Sequence, residues 1–214
     1  LEDFTKAKEL GDETALSCRS KALEKLGMHE RLAVDWQGEL ADRKERQKDV
    51  GISFSVDMSV AEAYRSLGFA RNAVGQSDES LQAFQVALQL CQKMAEASPE
   101  NASCWALVGR AYNDIGHAKR EVGQKEQFEP EFQQARTAFE KAVEVDPNPG
   151  MLSNLADSLA NCPNPKLRDP ERAASIISKS IENTATKVNP TFRKSQFRIL
   201  GIGHYRRGHW NKSI

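Results

Sequence analysis

The stretch GIGHYRRGHWNKSI, residues 201–214, gathers the residue types most able to do chemistry. Gly201 and Gly203 would suit a phosphate loop, but that use needs a third glycine and a preceding strand, and the sequence supplies neither. His204 and His209 could ligate a metal only with further ligands; no carboxylate lies nearby, and the pair straddles a turn expected at Gly208. Arg206 and Arg207 belong to a wider bias. Lys187, Arg193, Lys194, Arg198, Arg206, Arg207 and Lys212 put seven cations into residues 183–214 with no acidic residue. Such a segment could meet an acidic peptide, a phosphate or nucleic acid; more simply, it is a solvated face.

Elsewhere the chemistry is thinner. Cys18, Cys91, Cys104 and Cys162 form no CxxC pair, so neither a zinc nor a redox signature is present. They read as small apolar residues in a reducing compartment. In NCPNPKLRDPER (161–172), Cys162 stands near Lys166 and Arg168, which could activate a thiol. The simpler reading is a stiff loop, with Asp169 capping a helix that has Pro170 in its first turn. His29 and His117 are isolated and expected near turns. The run DRKERQKD (42–49) mixes both signs, as on an exposed helix with internal ion pairs. No spacing assembles an acid–base or nucleophilic constellation, so neither catalytic nor metal-binding residues are expected, and no cofactor.

Positioning these residues falls to helices. The 214 residues carry 30 basic and 30 acidic side chains, a net charge of zero that implies no global polyelectrolyte partner. No apolar run approaches a membrane span and no signal peptide is visible, although the chain begins at Leu1 and not at Met. Only ISFSV (52–56) alternates like a strand. Apolar residues otherwise recur at three and four, and Gly and Pro punctuate at intervals suiting helices of about 12–20 residues.

Within that helical period lies a repeat. A bulky residue followed by an apolar residue at +3 and glycine at +4 occurs at Tyr64/Leu67/Gly68, Trp105/Val108/Gly109 and Phe197/Leu200/Gly201. Leu152/Leu155/Ala156 is a weaker copy and Leu16/Arg19/Ser20 a degenerate one. A second pattern places a small residue, an aromatic at +4 and an alanine at +7: Ser80/Phe84/Ala87, Ala135/Phe139/Ala142 and, more loosely, Ala173/Ile177/Ser180 and Leu32/Trp36/Glu39. Small residues let a partner helix approach, and bulky ones fill the gap. A helix pair buries too little alone, so pairs stack.

These residues resemble the tetratricopeptide repeat (TPR) family, most fully at Trp105, Val108, Gly109, Tyr112, Ala135, Phe139, Ala142 and Pro147. In that unit 14 extra residues separate the two halves. The first-helix anchors Leu16, Tyr64, Trp105, Leu152 and Phe197 are 48, 41, 47 and 45 residues apart, longer than the family period of about 34. The resemblance implies an all-α, right-handed α-α superhelix of helix pairs. The expected units are 1–12, the tail of a preceding repeat; 13–58, a degenerate repeat with a long second helix; 59–101; 102–148, with the insertion; 149–190, with the Pro-rich loop; and 191–214, the first half of a truncated repeat. Both ends are thus expected to fall inside a repeat. A narrower resemblance, LADSLANCPNPKLRDPERAASIISKSIE followed by LGIGHYRRGHWNKSI, is to TPR arrays of large bacterial proteins that carry a serine/threonine protein kinase domain. The chain itself has no kinase motif.

In this family the first helices line a concave face. The resemblance places Arg65, Phe69, Asn72, Arg110, Asn113, Asn154, Asp157, Arg198 and Tyr205 there, a set suited to an extended peptide. The family's two-carboxylate clamp is absent, since Ser17 and Ala22 occupy its Lys–Asn positions and Arg65 is followed by Phe69. The function implied is a cytoplasmic, non-catalytic scaffold for a protein or peptide partner. The alternatives are a regulatory or substrate-recruiting arm of a bacterial serine/threonine kinase, and nucleic-acid or phosphate binding through 183–214. No membrane partner is implied, nucleic acid is not the expected partner, and the sequence leaves the oligomeric state open.

Overall fold

A computed structural model describes residues 23, 27–50, 54–123, 128–183, 198, 199 and 201, with side chains of 46–50, 54–56, 182 and 183 excepted. Among the described residues seven α-helices run in order: α1 (His29–Val50), α2 (Phe54–Ala73), α3 (Ser77–Ala97), α4 (Ala102–Glu121), α5 (Glu129–Val145), α6 (Pro149–Asn161) and α7 (Pro170–Asn183), with a short 3₁₀ turn at Pro165–Leu167. Among the described residues there is no strand. Phe54 of the alternating run 52–56 opens α2, because so short a run has no second strand to pair with.

Local chemistry sets the helix ends. The Asn101 side chain accepts from the Ser103 backbone N–H (3.0 Å) at the start of α4. Asn148 does the same for Gly150 and Met151 (2.9 and 3.1 Å) ahead of Pro149 in α6. Asp169 accepts from the Arg172 N–H (2.9 Å) ahead of Pro170 in α7. Each satisfies donors that a helix start leaves open, and proline at the first position has no donor to lose. Gly75 and Gly123 follow α2 and α4 at φ +79° and +80°, a conformation that side-chain-bearing residues adopt at a cost.

The chain divides into two compact units, Leu1–Ala87 and Leu88–Ile214. In the first, α1 packs on α2, and Leu23, Leu32 and Ala70 form a core with Trp36 against it. Glu39, nearly fully buried, is held by Arg43 (2.8 Å), whose other end donates to the Ser59 carbonyl (2.9 Å). In the second unit, α4 packs on α5, α5 on α6, and α6 on α7. Their core holds Ala135, Phe139, Leu155, Ala156, Leu159, Ala173, Ile177 and Ile199.

One contact repeats in both units. A methyl group added at Gly68 would lie 2.6 Å from the Phe84 ring, and one at Gly109 would lie 2.6 Å from the Phe139 ring. Each glycine therefore lets its second-helix phenylalanine ring approach the first-helix backbone closely. The Ser80 hydroxyl, fully buried, donates to the Gly68 carbonyl (2.8 Å) and fixes the same pair. In α4–α5 the contact recurs once more: a methyl at Gly116 would lie 2.9 Å from the Phe132 ring. Gly116 is seven residues beyond Gly109, and Phe132 seven before Phe139. In an antiparallel pair those steps preserve register, so the 14 extra residues add seven to each helix, or about two turns.

The Pro-rich segment covers the flank of this longer pair. Asn164 donates its amide to Glu129, and Arg136 donates to the Leu167 carbonyl. Arg168 donates to the carbonyls of Cys162 (2.7 Å) and Pro163 (3.2 Å), and the Asp169 N–H bonds back to Leu159 (3.0 Å). Its backbone acceptors are thus satisfied by side chains where no helix or ladder can do so.

Candidate functional site

On α2 the packing residues Leu67 and Gly68 are buried, and Tyr64 is half-buried. Beside them Arg65 clasps Glu62 through both carboxylate oxygens (2.9 and 3.2 Å). Its guanidinium lies 5.8 Å from the Phe69 ring centre. Phe69 is 48% exposed although its edge meets the buried Phe84, with centroids 4.9 Å apart at 71°. Asn72 follows on the same helix, half-buried. The first unit therefore presents a solvent-facing aromatic, held from behind by a core ring and from the side by an arginine.

In the second unit Val108, Gly109, Ala135, Phe139 and Ala142 are buried, as are Phe84 and Ala87 in the first. Trp105 and Tyr112 are half-buried, Pro147 is exposed and Gly201 is half-buried. Arg110 is exposed and Asn113 half-buried on α4; Asn154 and Asp157 are half-buried on α6. Arg198 and Asp157, 41 residues apart, meet in an ion pair of 2.9 Å. The Asn161 amide also donates to that carboxylate (2.8 Å), so Asp157 is already satisfied from two sides. Tyr205 and Leu200 lie outside the described residues, as do His204, His209 and every cation of 183–214 except Arg198.

A different feature sits where Trp105 and Tyr112 stop short of full burial. They floor a cleft of about 200 Å³ between α3 and α5, walled by Gln92, Glu96, Gln134 and Lys141. The Trp105 indole N–H is tied to the Pro99 carbonyl (2.8 Å), and Gln92 donates to the Tyr112 hydroxyl (3.0 Å). The Lys141 ammonium lies 4.4 Å from the Trp105 ring centre. Sequence reading treated the two aromatics as packing residues. It missed Gln92, Glu96 and Lys141, because their approach depends on how three helices pack and no local spacing records it.

The thiols do not fit nucleophilic chemistry. Cys91, Cys104 and Cys162 are buried thiols. Burial pushes the thiols of Cys104 and Cys162 up, which for Cys162 outweighs the nearby Arg136 and Arg168, so both stay protonated at neutral pH. Cys18 lies outside the described residues. Among the described residues no group of three or more His, Cys, Asp or Glu side chains is placed to hold a metal ion. No described helix is long and apolar enough to cross a membrane.

No protein-family model matches the chain. No curated protein matches it by sequence. Solved structures do. BtubC (BKLC) from P. vanneervenii is 15% identical over 94% of this chain and 74% of its own, with a TM-score of 0.54. A Podospora anserina protein described as a kinesin light chain with nearly identical TPR-like repeats is 13% identical, covering 94% and 89%, with a TM-score of 0.55. A thermophilic TPR protein of Thermus thermophilus is 14% identical, covering 91% and 86%, with a TM-score of 0.53. At such identity the likeness is one of fold, and the fold is the all-α helix-pair solenoid of TPR proteins.

Proposed function

We propose that this chain is a non-catalytic scaffold that holds an extended peptide or protein segment on the face formed by its first helices. The observation that carries the reading is Phe69. A phenylalanine left half in water costs solubility, yet here it is braced by Phe84 and Arg65 into one orientation. An aromatic fixed before binding loses little entropy when a partner covers it. Arg110 and Arg198 add exposed cations on later first helices, and Asn113 and Asn154 offer both a donor and an acceptor to a peptide backbone.

The repeat division belongs to the same proposal, with helix starts at Ala102 and Pro149 in its support. The narrower idea, an arm of a bacterial serine/threonine kinase, rests on the sequence likeness of the C-terminal repeats alone; the parent protein's full sequence tests it.

A peptide array followed by titration of the strongest sequence tests the scaffold reading. Phe69→Ala is expected to weaken binding about five- to thirty-fold, and Arg110→Ala and Arg198→Ala less. Binding unchanged in all three variants overturns it.

A further inference from the structure

We infer that the cleft between α3 and α5 receives one positively charged side chain, an arginine presented by a partner protein. The cleft already holds a cation. Lys141, an exposed residue, places its ammonium over Trp105, and tryptophan is the aromatic that attracts cations most strongly. The ring is presented in a fixed orientation, because its N–H is bonded to Pro99. A cation also meets the corresponding ring in the first unit, where the Lys44 ammonium, from the preceding helix α1, lies 4.9 Å from the ring centre of Tyr64. Tyr64 and Trp105 hold the same place relative to Gly68 and Gly109, so the aromatic at this repeat position meets a cation in both units.

Charge and size select the guest. Glu96 is the one carboxylate in the lining, and Lys141 the one cation. Gln92 spends an amide hydrogen on Tyr112, which leaves its oxygen to accept. A guest that displaces Lys141 therefore meets an aromatic face, a carboxylate and an amide oxygen. A planar guanidinium uses all three and stacks on indole better than an ammonium does. The volume, about 200 Å³, is below that of pockets for drug-sized ligands and suits one side chain. Arg110 lies five residues from Trp105, on the other side of α4, so this site is separate from the first-helix face and does not rest on the peptide reading.

The test uses the full chain carrying Trp36→Phe and Trp210→Phe, so that Trp105 alone reports by fluorescence. N-acetyl-arginine amide is titrated beside N-acetyl-glutamate amide and N-acetyl-leucine amide. The arginine compound is expected to saturate the signal where the others do not. Lys141→Met, which keeps the aliphatic stem and removes the competitor, should lower the half-saturating concentration about two- to five-fold. Glu96→Gln should raise it by about as much. Both positions are exposed, so folding survives, and circular dichroism confirms it. Equal response to all three compounds, saturation by the glutamate compound through Lys141, or no effect of either substitution overturns the inference. Variants at Phe69, Arg110 and Arg198 leave this titration unchanged, which separates its failure from failure of the peptide reading.

Discussion

His117 shows how a residue can be exposed and still perturbed. Its ring meets Phe132 edge-on, with centroids 5.2 Å apart at 82°. Burial against that ring lowers its pKa below 6.5, Arg120 adds to the effect, and Glu121 partly offsets it. The unfolded chain therefore binds this proton more readily than the folded chain. The contribution to stability is complete above the unfolded value near 6.5 and is lost as the pH falls from there through the lower folded value. The melting temperature of the wild type should drop relative to that of His117→Gln as the pH is lowered from about 7 to about 5. Parallel pH profiles for the two proteins would remove this role. The sequence marked His117 as an isolated residue near a turn. That placed it at the end of α4 but gave no hint of Phe132, which approaches from another helix.

At the scale of the helix pair, two glycines in α4 and one in α2 set the distance of approach. A methyl at Gly109 would meet the Phe139 ring at 2.6 Å, whereas one at Gly38 in α1 would meet nothing within 4 Å. Gly38→Ala should stabilise by about 1 kcal/mol through helix propensity alone. Gly109→Ala gains the same propensity but overpacks the pair, for a net loss of about 1–2 kcal/mol. Denaturant unfolding of both variants checks this; a stabilised Gly109→Ala would mean that the ring yields easily. The glycine–aromatic pattern was legible in the sequence, since the two halves of each repeat are local. The 14-residue insertion was legible only as a length. Its division into seven residues per helix is set by the packing of Gly116 against Phe132.

At the scale of the molecule, each unit has its own core, and repeat folds gain stability mainly from neighbouring helices. Leu159 is fully buried in the core of the second unit, and Leu159→Ala should cost about 2–5 kcal/mol there. Trp36 reports on the core of the first unit and Trp105 lies in the second. In single-tryptophan variants, Leu159→Ala should shift the Trp105 transition to lower denaturant by more than the Trp36 transition. Equal shifts would show that the chain unfolds as one cooperative body.

The sequence by itself determined the helical class, the pairing of helices and the glycine–aromatic contacts of Gly68 with Phe84 and Gly109 with Phe139. These follow from spacing along one helix or across one turn, and local periodicity encodes both. It also determined the Asp169 cap, because that side chain acts within three residues of itself. Only the tertiary structure decided that Arg198 meets Asp157, that Asn164, Arg136 and Arg168 hold the Pro-rich segment, and that Lys141 covers Trp105. Each of those contacts joins residues brought together by packing, and their separation in the chain is set by loop and helix lengths that no short motif records.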